Sequence, residues 1–229
     1  MNIRSYDVGS RQQNRYWYPQ LSSSYKFSQS KLRYLVVIDF EATCWPKVAR
    51  AMRKNQEIIE FPAVLLNLNT GHLEEKFQQY VKPEENPQLS RYCIDLTGIG
   101  QDQVNAGVPL TTCLLLFDKW LNQILPKRGL VLPKSNQKNP AVNVAFATWS
   151  DWDLGACLNN ECWRKAINKP AYFGQWIDIF YHRQSSFPEA LAQRGLQFEG
   201  KEHCGLDDAK NLARLIMRMG QDGALPFLG

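Results

Sequence analysis

The sequence predicts an α/β domain built on a mixed, five-stranded sheet flanked by helices. Three observations carry that expectation. Residues 32–40 (LRYLVVIDF) form a short, continuous apolar run; two strand-like segments joined by turn residues follow; and helical periodicity over residues 110–125 precedes a second buried strand. An unbroken apolar run marks a strand covered on both faces, whereas alternation marks a half-solvated one. At 229 residues the chain can close one domain around a sizeable core. With 44% hydrophobic and 21% charged residues it has an ordinary globular composition, which excludes collagenous, coiled-coil and disordered classes.

Residues 1–31 lack hydrophobic periodicity and contain Ser22-Ser23-Ser24 and Gln-rich stretches, so they read as a flexible arm, with the domain body over 32–229. After the first strand comes a basic stretch, then strands over 58–67 (IIEFPAVLLN) and 77–81, with Asn69-Thr70-Gly71 as the turn. Pro62 predicts an edge or a bulge in the first of these. In 110–125 the apolar positions 110, 114, 117, 120, 121, 124 and 125 share one helical face, and Pro126 ends the helix. Residues 126–140 read as a basic, Pro-rich loop. Residues 142–148 (VNVAFAT) are the next buried strand, followed by a helix near 153–165, a strand over 175–180, a short helix over 187–194 and a last helix over 206–219.

The net charge of +5 is unevenly placed. The arm carries Arg4, Arg11, Arg15, Lys26 and Lys31 against Asp7 alone, a net +4, while the body holds 22 basic and 21 acidic residues. A basic arm on a near-neutral body permits a polyanionic partner without demanding one. None of the six cysteines forms a CxxC pair, so they are expected to be reduced thiols, mostly in the core, of a cytosolic or nuclear protein rather than a secreted one. No apolar run approaches the ~20 residues of a membrane helix.

Three short segments bear chemistry. Asp39-Phe40-Glu41 ends the first strand, and carboxylates at i and i+2 of an extended chain point the same way. Such a pair is either solvated or neutralised by a hard cation such as Mg²⁺ or Mn²⁺. Ser150-Asp151-Trp152-Asp153 opens a helix after another central strand; Asp151 suits a helix cap, leaving Asp153 spare. In His203-Cys204-Gly205-Leu206-Asp207-Asp208, a loop histidine precedes two acids in a first helical turn, one expected to cap and the other to act as ligand.

Taken together, DxE, WD and HxxxxD in this order, with DFEATCW, QEIIEFP, YCIDLTGI, SDWDL and HCGLDDAKN, resemble the DEDDh 3′-to-5′ exonucleases of the DnaQ-like superfamily, in the Eri/three-prime-exonuclease branch. In compactness the chain is similar to the Snipper-type nucleases. The resemblance spans about residues 33–220 and implies a ribonuclease H-like fold. It implies Asp39, Glu41, Asp153 and Asp208 as ligands of two Mg²⁺ ions, with Mn²⁺ able to substitute, and His203 as general base. The implied activity is Mg²⁺-dependent hydrolysis of RNA, and of DNA too, from the 3′ end, with release of nucleoside 5′-monophosphates by a monomeric enzyme. A DNA-directed exonuclease of the same fold and a non-catalytic RNA-binding module are the alternatives. Related enzymes place an apolar wedge after the third strand, which here implies Leu96, Thr97 and Ile99 near the substrate 3′ end. Ala42, Thr43 and Cys44 are implied under the terminal nucleotide, and Trp152, with Trp45 and Trp149, is available to stack on bases. Lys47, Arg50, Arg53 and Lys54, and more weakly Lys127, Arg128, Lys134 and Lys138, are candidate phosphate contacts.

Overall fold

The computed structural model describes residues 32–46, 55–133, 142–180 and 185–225. The arm over 1–31, the basic group Lys47, Arg50, Arg53 and Lys54, and Lys134 and Lys138 lie outside the described residues. The strands are β1 (Tyr34–Ile38), β2 (Glu41–Ala42), β3 (Ile58–Asn67), β4 (Leu73–Tyr80), β5 (Val144–Thr148) and β6 (Trp176–Asp178). The helices are α1 (Arg91–Thr97), α2 (Gln101–Asn105), α3 (Leu110–Ile124), α4 (Leu158–Arg164), α5 (Phe187–Gln193) and α6 (Gly205–Gln221). A π-type segment, Trp152–Cys157, leads into α4. Among these helices, none is long and apolar enough to cross a membrane.

The sheet is mixed, with six strands rather than the expected five. β3 pairs antiparallel with β1, β2 and β4, while β5 runs parallel to both β1 and β6. The extra strand arises because the first apolar run breaks at Asp39-Phe40. Ile38 pairs with Ala63 and Glu41 with Glu60, so β2 continues β1 along β3 in the same register, and Pro62 faces the break. Leu68 N–H bonds the Arg33 carbonyl, which makes alternate positions along this ladder, including Asp39 and Pro62, the ones that would exchange hydrogen bonds. Proline has no N–H to give, so the ladder opens at Asp39. Pro62 therefore sits in a strand paired on both sides, not at a sheet edge, and the irregularity it causes lies in the neighbouring strand.

Both faces of the sheet are covered, which accounts for the unbroken apolar run in β1. Tyr34, Val36 and Ile38 join Phe61, Phe117, Phe146 and Phe173 under α3, while Leu35 and Val37 join Leu212, Leu215 and Ile216 of α6 on the other face. A small third cluster, Ile59, Cys93, Ile99 and Val104, holds α1 and α2 against β3. These two helices lie in a segment without a clear sequence signal: they span 7 and 5 residues, and α1 depends on the Ser90 cap and on Gly98 at φ 74°. The stretch expected as one helix from 153 begins as the π-type segment and becomes α-helical only at Leu158.

Candidate active site

Four of the five sequence-chosen residues come from four different elements and meet at one end of the sheet. Asp39 occupies the break after β1, and Glu41 lies in β2. Asp153 follows β5, whose parallel pairing with β1 brings both strand ends to the same side. Asp208 sits in the first turn of α6. Its position depends on Gly205, whose α-carbon approaches so closely that a Cβ there would lie 2.6 Å from the Asp39 carbonyl oxygen. Asp153 and Asp208 are buried, while Asp39 and Glu41 keep some exposure.

The electrostatics show how tightly these groups face one another. Burial, followed by the charges of Asp153, Asp208, Glu41 and Glu60, pushes Asp39 well above the usual carboxylate range. Glu41 is pushed up to about 9 by burial and then by Asp208, Glu60 and Asp153. Asp153 and Asp208 each rise to about 7, chiefly through burial, although backbone N–H groups oppose the shift. Phe40 N–H donates to Asp153 Oδ1 at 2.8 Å. Desolvated like charges call for a cation, and an all-oxygen carboxylate set suits Mg²⁺ or Mn²⁺. Among the described residues no three such side chains are closed up into a ready-made chelate. The chemistry of the donors, an all-carboxylate set, fits the metal.

His203 occupies the turn before α6 at φ 61°, a left-handed conformation, with its ring exposed at the rim. The two neighbouring acids separate as expected, with a different division of labour. Asp207 accepts the Lys201 N–H at 3.2 Å and pairs with Lys210 at 2.9 Å, holding the turn, while Asp208 faces the other carboxylates. Neither caps α6. Glu60, which sequence reasoning missed, does so from β3: its buried carboxylate accepts the Gly205 N–H at 3.0 Å and the Gln78 amide at 2.7 Å. The available signal was a glutamate inside an otherwise apolar strand. Asp151 likewise makes no cap hydrogen bond; its carboxylate packs beneath Gly155.

The candidate substrate residues divide by burial. Ala42 is in the core, and Thr43 donates its N–H to the Glu57 carbonyl at 2.8 Å while its hydroxyl accepts the Glu57 N–H at 3.0 Å. Cys44 is partly exposed. Thr97 and Ile99 are buried, Thr97 Oγ1 donating to the Cys93 carbonyl, whereas Leu96 is half-buried and Tyr92 is exposed on the same helix. Trp152 and Trp149 are half-buried, each packed against a different face of the core. Arg128 is ion-paired with Glu74 and Glu75 at 2.8 and 2.7 Å and so serves the fold rather than standing free for phosphate.

Residues 36–216 match the family model for the RNase_T exonuclease domain. This chain belongs to the RNase_T exonuclease family. It is therefore an enzyme of the nuclease class, and its relatives place it in the DEDDh branch. Over 209 residues it is 50% identical to the 3′-5′ exonuclease Snipper of Drosophila melanogaster, covering 88% of this chain and 74% of that protein. It is 46% identical to human ERI1 exoribonuclease 2 over 208 residues, covering 86% of this chain and only 30% of that protein. Among solved structures, the nuclease domain of 3′hExo, a DEDDh family member bound to rAMP, superposes with a TM-score of 0.72 at 38% identity, covering 85% of this exonuclease and 95% of that chain.

Proposed function

We propose that this exonuclease removes nucleotides from the 3′ end of RNA in a Mg²⁺-dependent, two-metal reaction that releases nucleoside 5′-monophosphates. The observation that carries the reading is the meeting of Asp39, Glu41, Asp153 and Asp208 from four elements, with every one of their pKa values raised by burial and by one another or by further acids. These four side chains would hold the ions. Two divalent ions bound there supply Lewis-acid stabilisation of the scissile phosphate and of the leaving 3′-oxygen.

The protein's own groups do the rest. His203 at the rim takes the proton of the attacking water, the general-base task an imidazole nitrogen can perform. Phe40 N–H fixes the orientation of Asp153, so that carboxylate need not reorganise during the reaction. Sequence-tolerant contacts suffice for an exonuclease, and α1, which carries the half-buried Leu96 and the exposed Tyr92, is joined to the segment 42–44 through Ser90 and Cys93. The relative bound to rAMP and the exoribonuclease relatives favour RNA as the substrate.

The test is a paired time course on matched RNA and DNA oligonucleotides labelled at the 5′ end, run in Mg²⁺ and in EDTA, beside Asp39→Asn. The expected result is a metal-dependent ladder shortening from the 3′ end, faster on RNA and absent in the variant. Faster loss of DNA would reassign the substrate, and intact oligonucleotides in every lane would leave a binding module instead.

A further inference from the structure

Cys44 and Cys93 meet beside the candidate active site, and the hydrolytic chemistry uses neither. Cys44 stands two residues beyond β2 and is partly exposed; Cys93 is buried on α1. Cys44 packs on the small cluster that contains Cys93, Ile59 and Ile99. Ser90 ties the two backbones together: its hydroxyl donates to the Cys44 carbonyl at 2.5 Å and accepts the Cys93 N–H at 3.0 Å. Cys93 Sγ also reaches the Ala42 carbonyl at 3.7 Å. A disulfide requires two close β-carbons, and two cysteines packed in one cluster with their backbones bridged by one hydroxyl are placed to approach that geometry. Partial exposure of Cys44 gives an oxidant a way in.

We propose that Cys44 and Cys93 form a peroxide-oxidisable pair, a modification site whose disulfide shuts the exonuclease. The shutting rests on the function proposed above, whereas the disulfide itself does not. In the first step one thiolate attacks hydrogen peroxide; an S–O bond forms, the O–O bond breaks, and water leaves after taking up a proton. In the second, the other sulfur displaces the sulfenic hydroxyl, which departs as a second water. Two thiols thus lose two electrons and two protons to one peroxide.

The consequence for the site follows from β2. This strand has only two residues, and its register against β3 slips between Glu41 and Ala42, so the placement of Glu41 depends on the residues after it. A disulfide holds its sulfurs about 2.05 Å apart, closer than two thiols in van der Waals contact. Forming it draws the segment 42–44 towards α1 and takes Glu41 out of register with Asp39, Asp153 and Asp208. A displacement of about 1 Å in a catalytic constellation can cost roughly 10²-fold in rate.

The experiment treats the full-length protein with hydrogen peroxide, alkylates the remaining thiols, and reads peptide masses and RNA-shortening rates on the same samples. Expected are a peptide linking Cys44 to Cys93, a rate lowered at least tenfold, and recovery of both on adding dithiothreitol. Cys93→Ser, which keeps a hydrogen-bonding group in place, should hold its own basal rate through the treatment; should it fail to fold, Cys44→Ser serves for the same comparison. Absence of the linked peptide, a linked protein with an undiminished rate, or equal inactivation of the serine variants would each overturn the proposal. An untreated protein that does not shorten RNA would instead overturn the proposed function, with the linked peptide still readable by mass.

Discussion

At Gly205 the first turn of α6 passes β1 with no room for a side chain: an added Cβ would meet the Asp39 carbonyl oxygen at 2.6 Å and Pro62 Cγ at 2.8 Å. Gly205→Ala is therefore expected to lower stability by about 1–3 kcal/mol, as forced packing does, and to reduce kcat by moving Asp208 away from Asp39. Urea unfolding and single-turnover rates on the same preparation check both effects. His203 poses the opposite case. Its backbone holds φ at 61°, which glycine adopts freely, so His203→Gly should keep stability within about 1 kcal/mol while slowing hydrolysis about 10²–10⁴-fold. Normal single-turnover rates in a folded His203→Gly protein would remove the histidine from the mechanism. The candidate site acids stood out in the sequence as carboxylates after a buried strand or beside a helix start, and only their order together, through the family resemblance, singled them out. Glu60 was not singled out, because its role depends on a helix that begins 145 positions away.

On the scale of elements, the catalytic strand is held through ion pairs buried behind it. Lys165, at the end of α4, reaches Glu57 and Glu161 at 2.8 Å each; Glu161 accepts the Ile58 N–H, and Glu57 accepts the N–H groups of Glu84, Glu85 and Asn86. Thr43, next to β2, is bonded to Glu57 in turn, so one network of bonds joins α4 to the end of β2. Burial alone would raise Glu57, but the Lys165 ammonium and the loop N–H groups outweigh it and lower its pKa. Burial would lower Lys165, and Glu161 and Glu57 outweigh that to raise it. A lowered carboxylate stabilises the fold above its unfolded pKa of about 4.3, and that contribution is lost as pH falls through the folded value. Glu57→Gln should thus cost about 3 kcal/mol at pH 7, as breaking a buried pair does, and distinctly less near pH 3. Denaturant melts of both proteins across that range provide the measurement; a pH-independent difference would deny the charge its role. The short helices α1 and α2 escaped the sequence because their stability comes from burying Cys93, Thr97 and Val104 rather than from length or periodicity.

For the molecule as a whole, charge couples metal to substrate. The body beyond the arm has 22 basic and 21 acidic residues, and four of the acids converge on one site. Cations bound there turn a repulsive pocket into an attractive one for a polyanion. RNA carrying a hydrolysis-resistant 3′-terminal linkage should bind at least tenfold more tightly in Mg²⁺ than in EDTA, and its affinity should fall steeply with salt. Fluorescence anisotropy at constant ionic strength measures this, and equal affinity with and without Mg²⁺ would be inconsistent with the proposed site.

The sequence by itself determined the α/β class, the two fully buried strands and the long helices α3 and α6, and it offered Asp39, Glu41, Asp153, His203 and Asp208 as candidates through the family resemblance. These are local properties: apolar runs, helical periodicity, and polar residues at element ends. Only the tertiary structure decided where the first strand breaks, because Pro62 acts on it from across the ladder. It also decided that Glu60 caps α6 and that Arg128 is paired, since their partners, Gly205, Glu74 and Glu75, lie far away in the chain. The contact between Cys44 and Cys93 belongs with these, because nothing in the spacing of two cysteines reveals that one serine hydroxyl joins their backbones.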